Sequence, residues 1–216
     1  MESRTIDIWE QTAKNPPEEY LEYFKTEKEF LSNNLSTDFI VLDVGSGTGR
    51  TIRELAKSVK KFIGIDNDKT AIEASKKYLN GVKNAEIFFE DAESMHFKDN
   101  TFDVVFIGLT FCNFAESKMA VLREIKRVLK DDGSLIFSVF NEDSLKIRMK
   151  TYKDYYGGYT IIDKNKGTVR FDKDGGISEQ FSKEEITKIL SDADFKILEI
   201  IRGKMFYLIK ARKNRS

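Results

Sequence analysis

One cysteine, one histidine, one tryptophan and two prolines occur in 216 residues. The lone thiol, Cys112, excludes an intrachain disulfide and points to a reducing compartment. The charges cancel, with 36 basic against 36 acidic residues. That balance supplies no broad basic field to drive nucleic-acid binding and leaves room only for a local patch. No stretch approaches the roughly 20 consecutive apolar residues of a membrane-spanning helix, and the N-terminus has no apolar signal region. A cytoplasmic protein is expected. Internal repeats and low-complexity segments are missing too. At 40% hydrophobic content the chain suffices for one domain over 1–216 with a sizeable core.

What is present concentrates in one stretch, Phe39-Ile40-Val41-Leu42-Asp43-Val44-Gly45-Ser46-Gly47-Thr48-Gly49-Arg50. An apolar run fit for a strand buried on both faces breaks into three alternating glycines. Thr51 to Ala56 then reads as helix. Such a turn lets backbone approach a ligand closely and aims free N–H groups at it. A dinucleotide fingerprint, G-x-G-x-x-G, would put its third glycine at position 50, which is Arg50. The pattern found, D-x-G-x-G-x-G, resembles motif I of the class I S-adenosylmethionine (SAM) methyltransferases. The resemblance implies that the backbone at Gly45, Gly47 and Gly49 fits the methionine part of SAM, helped by Asp43 through the amino group.

Lys61 to Asp66 reads as a second buried strand, ending in Asp66-Asn67-Asp68. An acid at that tip, about 20 residues after the glycine turn, is where a Rossmann-type site holds a ribose. Asp66 and Asn67 are therefore cofactor candidates, with Asp68 better suited to cap the next helix. Ala85 to Glu90 forms the third strand. The loop from Asp91 to Asp103 resembles that of the methyltransferases that include the quinone-biosynthesis enzymes. There the acid accepts a hydrogen bond from the adenine amino group, and the next backbone N–H reaches the ring. The matching positions are Asp91 and Ala92. His96 stands where that subgroup has proline, and is expected to be structural.

Phe102 to Gly108 is the fourth strand, and Gly108 and Leu109 at its end join the cofactor candidates. The following Thr110-Phe111-Cys112-Asn113-Phe114 should face the transferred methyl, because ligands sit beyond the carboxyl ends of such strands. It lacks the Asn/Asp-Pro-Pro-aromatic signature of enzymes that methylate exocyclic or amide nitrogens. Phe111 and Asn113 lead the candidates for the acceptor site, with Tyr20, Tyr23 and Tyr156 beside them as positioning residues. Nothing marks Cys112 as an activated nucleophile.

Residues 1–37 read as an N-terminal helical cap. Asn15-Pro16-Pro17 opens its helix, Tyr20, Leu21, Phe24, Leu31 and Leu35 are its apolar face, and Trp9 lies upstream. Met119 to Leu129 is a helix ended by Asp131-Asp132-Gly133, and Ser134 to Phe140 is the fifth strand. Residues 142–181 read as an insert with a β-hairpin, Tyr159 to Asp163 against Thr168 to Asp172. Its Arg148, Arg170 and tyrosines suit either an acceptor pocket or plain packing. Ser182-Lys183-Glu184-Glu185 is a capping box, and the last two strands can only form an antiparallel hairpin.

The expected fold is α/β, a Rossmann-like seven-stranded methyltransferase sheet with an antiparallel last hairpin, a helical N-terminal extension and a small β-hairpin insert. The expected activity is methyl transfer from SAM to a small-molecule acceptor by a monomer or homodimer without a metal. A tRNA or rRNA methyltransferase and a catalytically silent SAM-binding partner remain alternatives.

Overall fold

A computed structural model describes residues 16, 18–155, 158–172 and 175–214. Trp9, Asn15, Pro17 and Tyr156 lie outside these. Helix α1 (Glu18–Asn34) leads into β1 (Ile40–Val44), and α2 (Arg50–Leu55) follows the glycine turn. Then come β2 (Lys61–Asp66), α3 (Lys69–Tyr78), β3 (Ala85–Phe89), β4 (Phe102–Ile107), α4 (Lys118–Val128) and β5 (Leu129–Phe140). The insert adds α5 (Leu145–Tyr155), β6 (Tyr159–Asp163), β7 (Thr168–Phe171) and β8 (Ile177–Ser178). Helix α6 (Lys183–Asp192) and strands β9 (Phe195–Arg202) and β10 (Phe206–Lys213) complete the chain.

The main sheet runs β3-β2-β1-β4-β5-β10-β9, and the insert forms its own sheet, β6-β7-β8. Strands β1 to β5 are parallel, and β10 is antiparallel to both neighbours. This is the Rossmann-like methyltransferase sheet expected from the sequence. Chain order reverses between β1 and β4, which opens a crevice at their carboxyl ends. The central strands are apolar on both faces because helices cover both. Val41, Leu42, Val105, Ile136 and Phe137 are fully buried. Helix α4 shows how the sequence does this, its Val121, Leu122, Ile125 and Val128 forming one buried stripe at helical spacing. Asp68 caps α3 by accepting the N–H of Thr70 and Ala71, and Ser182 with Glu185 forms the capping box of α6.

Three local expectations need correction. The buried face of α1 is Tyr20, Tyr23, Glu27, Phe30 and Leu31, whereas Leu21 is 52% exposed. A charged residue in the stripe had masked its phase. Strand β5 begins at Leu129, directly after α4, so Asp131-Asp132-Gly133 lies inside the strand. Its pairing jumps from Phe102↔Leu129 to Val104↔Ser134, and the extra residues bulge out. The insert also contains α5, which its polar sequence did not announce. Tyr152, Val169 and Phe171 form a small buried cluster beneath it.

Candidate functional site

The glycine turn sits between the ends of β1 and β2. The Ile65 carbonyl accepts the N–H of Gly45 (2.9 Å) and of Ser46 (3.0 Å). All three glycines have positive φ, at 72°, 53° and 82° for Gly45, Gly47 and Gly49. Gly45 is further required by space, since a Cβ there would collide with the Thr110 side chain. Asp66 stiffens the turn from the next strand. Its Oδ2 accepts the Gly47 N–H (2.9 Å) and its Oδ1 accepts the Asp68 N–H (3.0 Å). Each oxygen keeps acceptor capacity for a ligand. Burial raises its pKa above the usual carboxylate range, against the pull of those backbone bonds.

A cleft of about 230 Å³ opens beside this turn. Gly45, Ile65, Asp66 and Asn67 form one side, and Glu90, Asp91, Ala92 and Glu93 the floor after β3. Thr110, Asn113, Phe114, Ser117 and Val121 close the other side. Among the described residues, four carboxylates and no lysine or arginine line it. That chemistry opposes a pyrophosphate, the central group of a dinucleotide, and favours a ligand carrying positive charge. The residues present therefore fit a sulfonium nucleoside, with Asp66 placed to accept from a ribose diol.

Gly45, Asp66, Asn67, Asp91, Ala92 and Asn113 thus come together on the cleft as the sequence led us to expect. Gly47 contributes through Asp66, and Gly49 starts α2 while packing against Leu79. Gly108 and Leu109 stand at the end of β4, outside the cleft lining; the Leu109 N–H is held by Ser138 Oγ at 2.9 Å. Tyr20 does not line the cleft. It is 1% exposed, and its hydroxyl lies beside Thr151 of α5, so α1 uses it to pack against the insert; Tyr23 and Phe111 are buried as well. Arg148 is wholly buried as well. It donates to the Gly167 and Ser178 carbonyls (3.0 and 2.8 Å), to Ser178 Oγ and to the Tyr152 hydroxyl. Arg170 is exposed. Cys112 is sealed from solvent, and burial pushes its thiol up to about 12, which disqualifies it as a nucleophile. His96 leans on Phe97 and Phe88 and pairs with Glu90, a structural role on the adenine-side loop.

Sequence reasoning missed Glu90, Glu93 and Ser117, ordinary polar residues outside the strands. It also missed Glu27, which is fully buried on α1. Glu27 pairs with Arg50 and accepts from the Tyr23 hydroxyl. Asp43 lies close by under the turn, 3% exposed. Burial first, and then the Glu27 charge, push its carboxyl up to about 8, while Arg50 pulls the other way.

A family model described as a methyltransferase domain matches residues 42–137. A ubiquinone/menaquinone biosynthesis C-methyltransferase of Wigglesworthia glossinidia brevipalpis is 28% identical over 175 residues, 76% of this chain and 69% of that protein. Residues 42–137 carry a methyltransferase domain. An uncharacterized methyltransferase of Bacillus subtilis is 35% identical to this chain over 98 residues, 44% of it and 38% of the relative. The chain spans about half the length of several other curated relatives that it matches. Among solved structures, a SAM-dependent methyltransferase of Methanosarcina mazei superposes with a TM-score of 0.69 at 24% identity, covering 87% of this chain and 98% of that one, a likeness of fold. No helix among the described residues is long and apolar enough to cross a membrane.

Proposed function

We propose that the chain transfers the methyl group of SAM to a small-molecule acceptor. The observation that carries this reading is Asp66, a carboxylate braced by two backbone N–H groups at the rim of a cleft whose described lining holds acids and no cation. When bound there, SAM supplies an electrophilic methyl whose carbon–sulfur bond breaks as the acceptor's lone pair attacks from the opposite side. The protein's share is orientation and exclusion of water. Asp66 accepts from the ribose hydroxyls. Asp91 and the Ala92 N–H take the adenine edge, and Gly45 with Asp43 receives the methionine end. Asn113 and the half-buried Phe114, on the far side of the cleft, orient the acceptor, with Tyr156 a further candidate. The acceptor's proton leaves to solvent unless the acceptor arrives as a free amine or an anion. The relative named for quinone biosynthesis supports an organic acceptor, and zero net charge counsels against a nucleic acid.

The test is incubation of the purified protein with methyl-labelled SAM and fractionated cell extract. Label in the small-molecule fraction is the expected result. Label confined to RNA or protein overturns the acceptor class. Binding of SAM with no labelled product in any fraction would reveal a silent partner protein.

A further inference from the structure

Along the carboxyl edge of the sheet the order is β3, β2, β1, β4. Asp91 and Ala92 follow β3, Asp66 ends β2, and the glycine turn follows β1. A donor laid with adenine at β3 and ribose at β2 therefore sends its amino-acid end toward the gap between β1 and β4. Glu27 stands there. A Cβ on Gly108, just past β4, would lie 3.1 Å from Glu27 Oε1. Glu27 is 1% exposed at its side chain and paired to Arg50, which is 20% exposed. Arg50 stacks on Phe24, 4.5 Å above the ring centre, and its other nitrogen reaches Glu54 at 3.5 Å. Glu27 is anchored from behind. It accepts from Tyr23, whose oxygen is 2.8 Å from Ser138 Oγ, and Ser138 holds the Leu109 N–H.

We propose that the Glu27–Arg50 pair is the seat of the donor's amino-acid zwitterion, Glu27 taking the ammonium and Arg50 the carboxylate. This rests on the SAM reading above and extends it to α1. The chemistry follows from charge balance. A buried ion pair cannot lose one partner without leaving an uncompensated charge. A ligand bringing one charge would create such a charge, whereas a zwitterion replaces one internal pair by two and leaves none. Both members can serve. A carboxylate has about four acceptor sites, of which Tyr23 and Arg50 use two. Arg50 presents a planar fork suited to a carboxylate and is the more exposed member of the pair.

The experiment is calorimetry on the full chain and on Glu27→Gln, with S-adenosylhomocysteine, its deaminated analogue and 5′-methylthioadenosine, which lacks the amino-acid part. We expect the wild type to bind S-adenosylhomocysteine at least tenfold tighter than methylthioadenosine. Glu27→Gln should lose at least tenfold for S-adenosylhomocysteine while staying within twofold of wild type for methylthioadenosine and the deaminated compound. Equal losses for all three would mark Glu27 as a staple between α1 and α2 only, and would overturn the proposal. So would unchanged affinities, or a wild type that binds methylthioadenosine as tightly as S-adenosylhomocysteine. Should Glu27→Gln not fold, Arg50→Gln with the decarboxylated analogue tests the other half. Its penalty must vanish when the ligand carboxylate is absent, and a penalty that persists sinks the assignment. A wild type that binds none of these compounds would instead defeat the donor reading itself.

Discussion

Replacing Asp66 by alanine separates a donor-holding carboxylate from a merely structural one. The side chain accepts the Gly47 N–H at 2.9 Å and the Asp68 N–H at 3.0 Å. Alanine strips both, but each donor lies near the cleft and can turn to water, so the fold should tolerate the change. Ligand binding has no such relief, because the ribose hydroxyls lose a charged acceptor that was already braced in place. Hydrogen bonds to a charged group are worth about 1.5–3 kcal/mol, and with partial replacement by water a net loss of about 1–3 kcal/mol is expected. That is roughly a 5- to 150-fold rise in Kd. Calorimetry with S-adenosylhomocysteine reads it, with a thermal melt as control. A 2′,3′-dideoxy analogue supplies the decisive comparison, because wild type should discriminate against it and Asp66→Ala should not. An Asp66→Ala protein that melts like wild type and binds S-adenosylhomocysteine with unchanged affinity would refute the assignment.

Asp43, pushed up to about 8, gives a pH prediction. Its native carboxyl holds a proton that the unfolded chain releases above 3.8, so its contribution to stability falls as pH rises from there to about 8. The melting temperature of wild type should fall relative to that of Asp43→Asn across that window in the donor-free protein, and a flat difference would refute it. Arg148→Met keeps the buried stem but takes the donor away from the Gly167 and Ser178 carbonyls. A loss on the order of 3 kcal/mol is expected in urea unfolding, and an unmoved midpoint would show that the guanidinium does not tie the insert down.

The donor half of the site was legible because its signals are local. Asp43 to Gly49 sits within seven consecutive residues, and Asp66 and Asp91 lie at or just beyond the tips of strands whose apolar runs locate them. Gly47 and Asp66 are 19 positions apart, yet both lie at the tips of neighbouring parallel strands and meet there at 2.9 Å. Glu27 was hidden by the opposite circumstance. A glutamate among Glu18, Glu19, Glu22 and Glu29 reads as part of a solvated face, and only Arg50, from beyond β1, makes its burial affordable. Tyr20 misled for the same reason. Its hydroxyl looked free until α5, an unannounced helix with an inward arginine, supplied Thr151.

The acceptor half obeys a different logic. Among the described residues, none that lines the cleft comes from 142–181, and the insert's contacts act on it at one remove. Asn113 and Phe114 lie on a short turn that starts at Leu109, with φ of 57°, and runs to Ala115, with φ of 45°. Both are non-glycine residues in the left-handed region, a strain kept only where neighbours over-determine the backbone. The neighbours are identifiable. Ser138 Oγ holds the Leu109 N–H, the Phe140 N–H reaches Cys112 Sγ at 3.2 Å, and the Glu179 N–H donates to the Cys112 carbonyl at 3.0 Å. Glu179 also pairs with Lys118 at the start of α4. Two of these ties come from β5 and two from the end of the insert. Changes within 142–181 should therefore shift acceptor preference by re-aiming Asn113, while leaving the adenine and ribose contacts on β2 and β3 as they are.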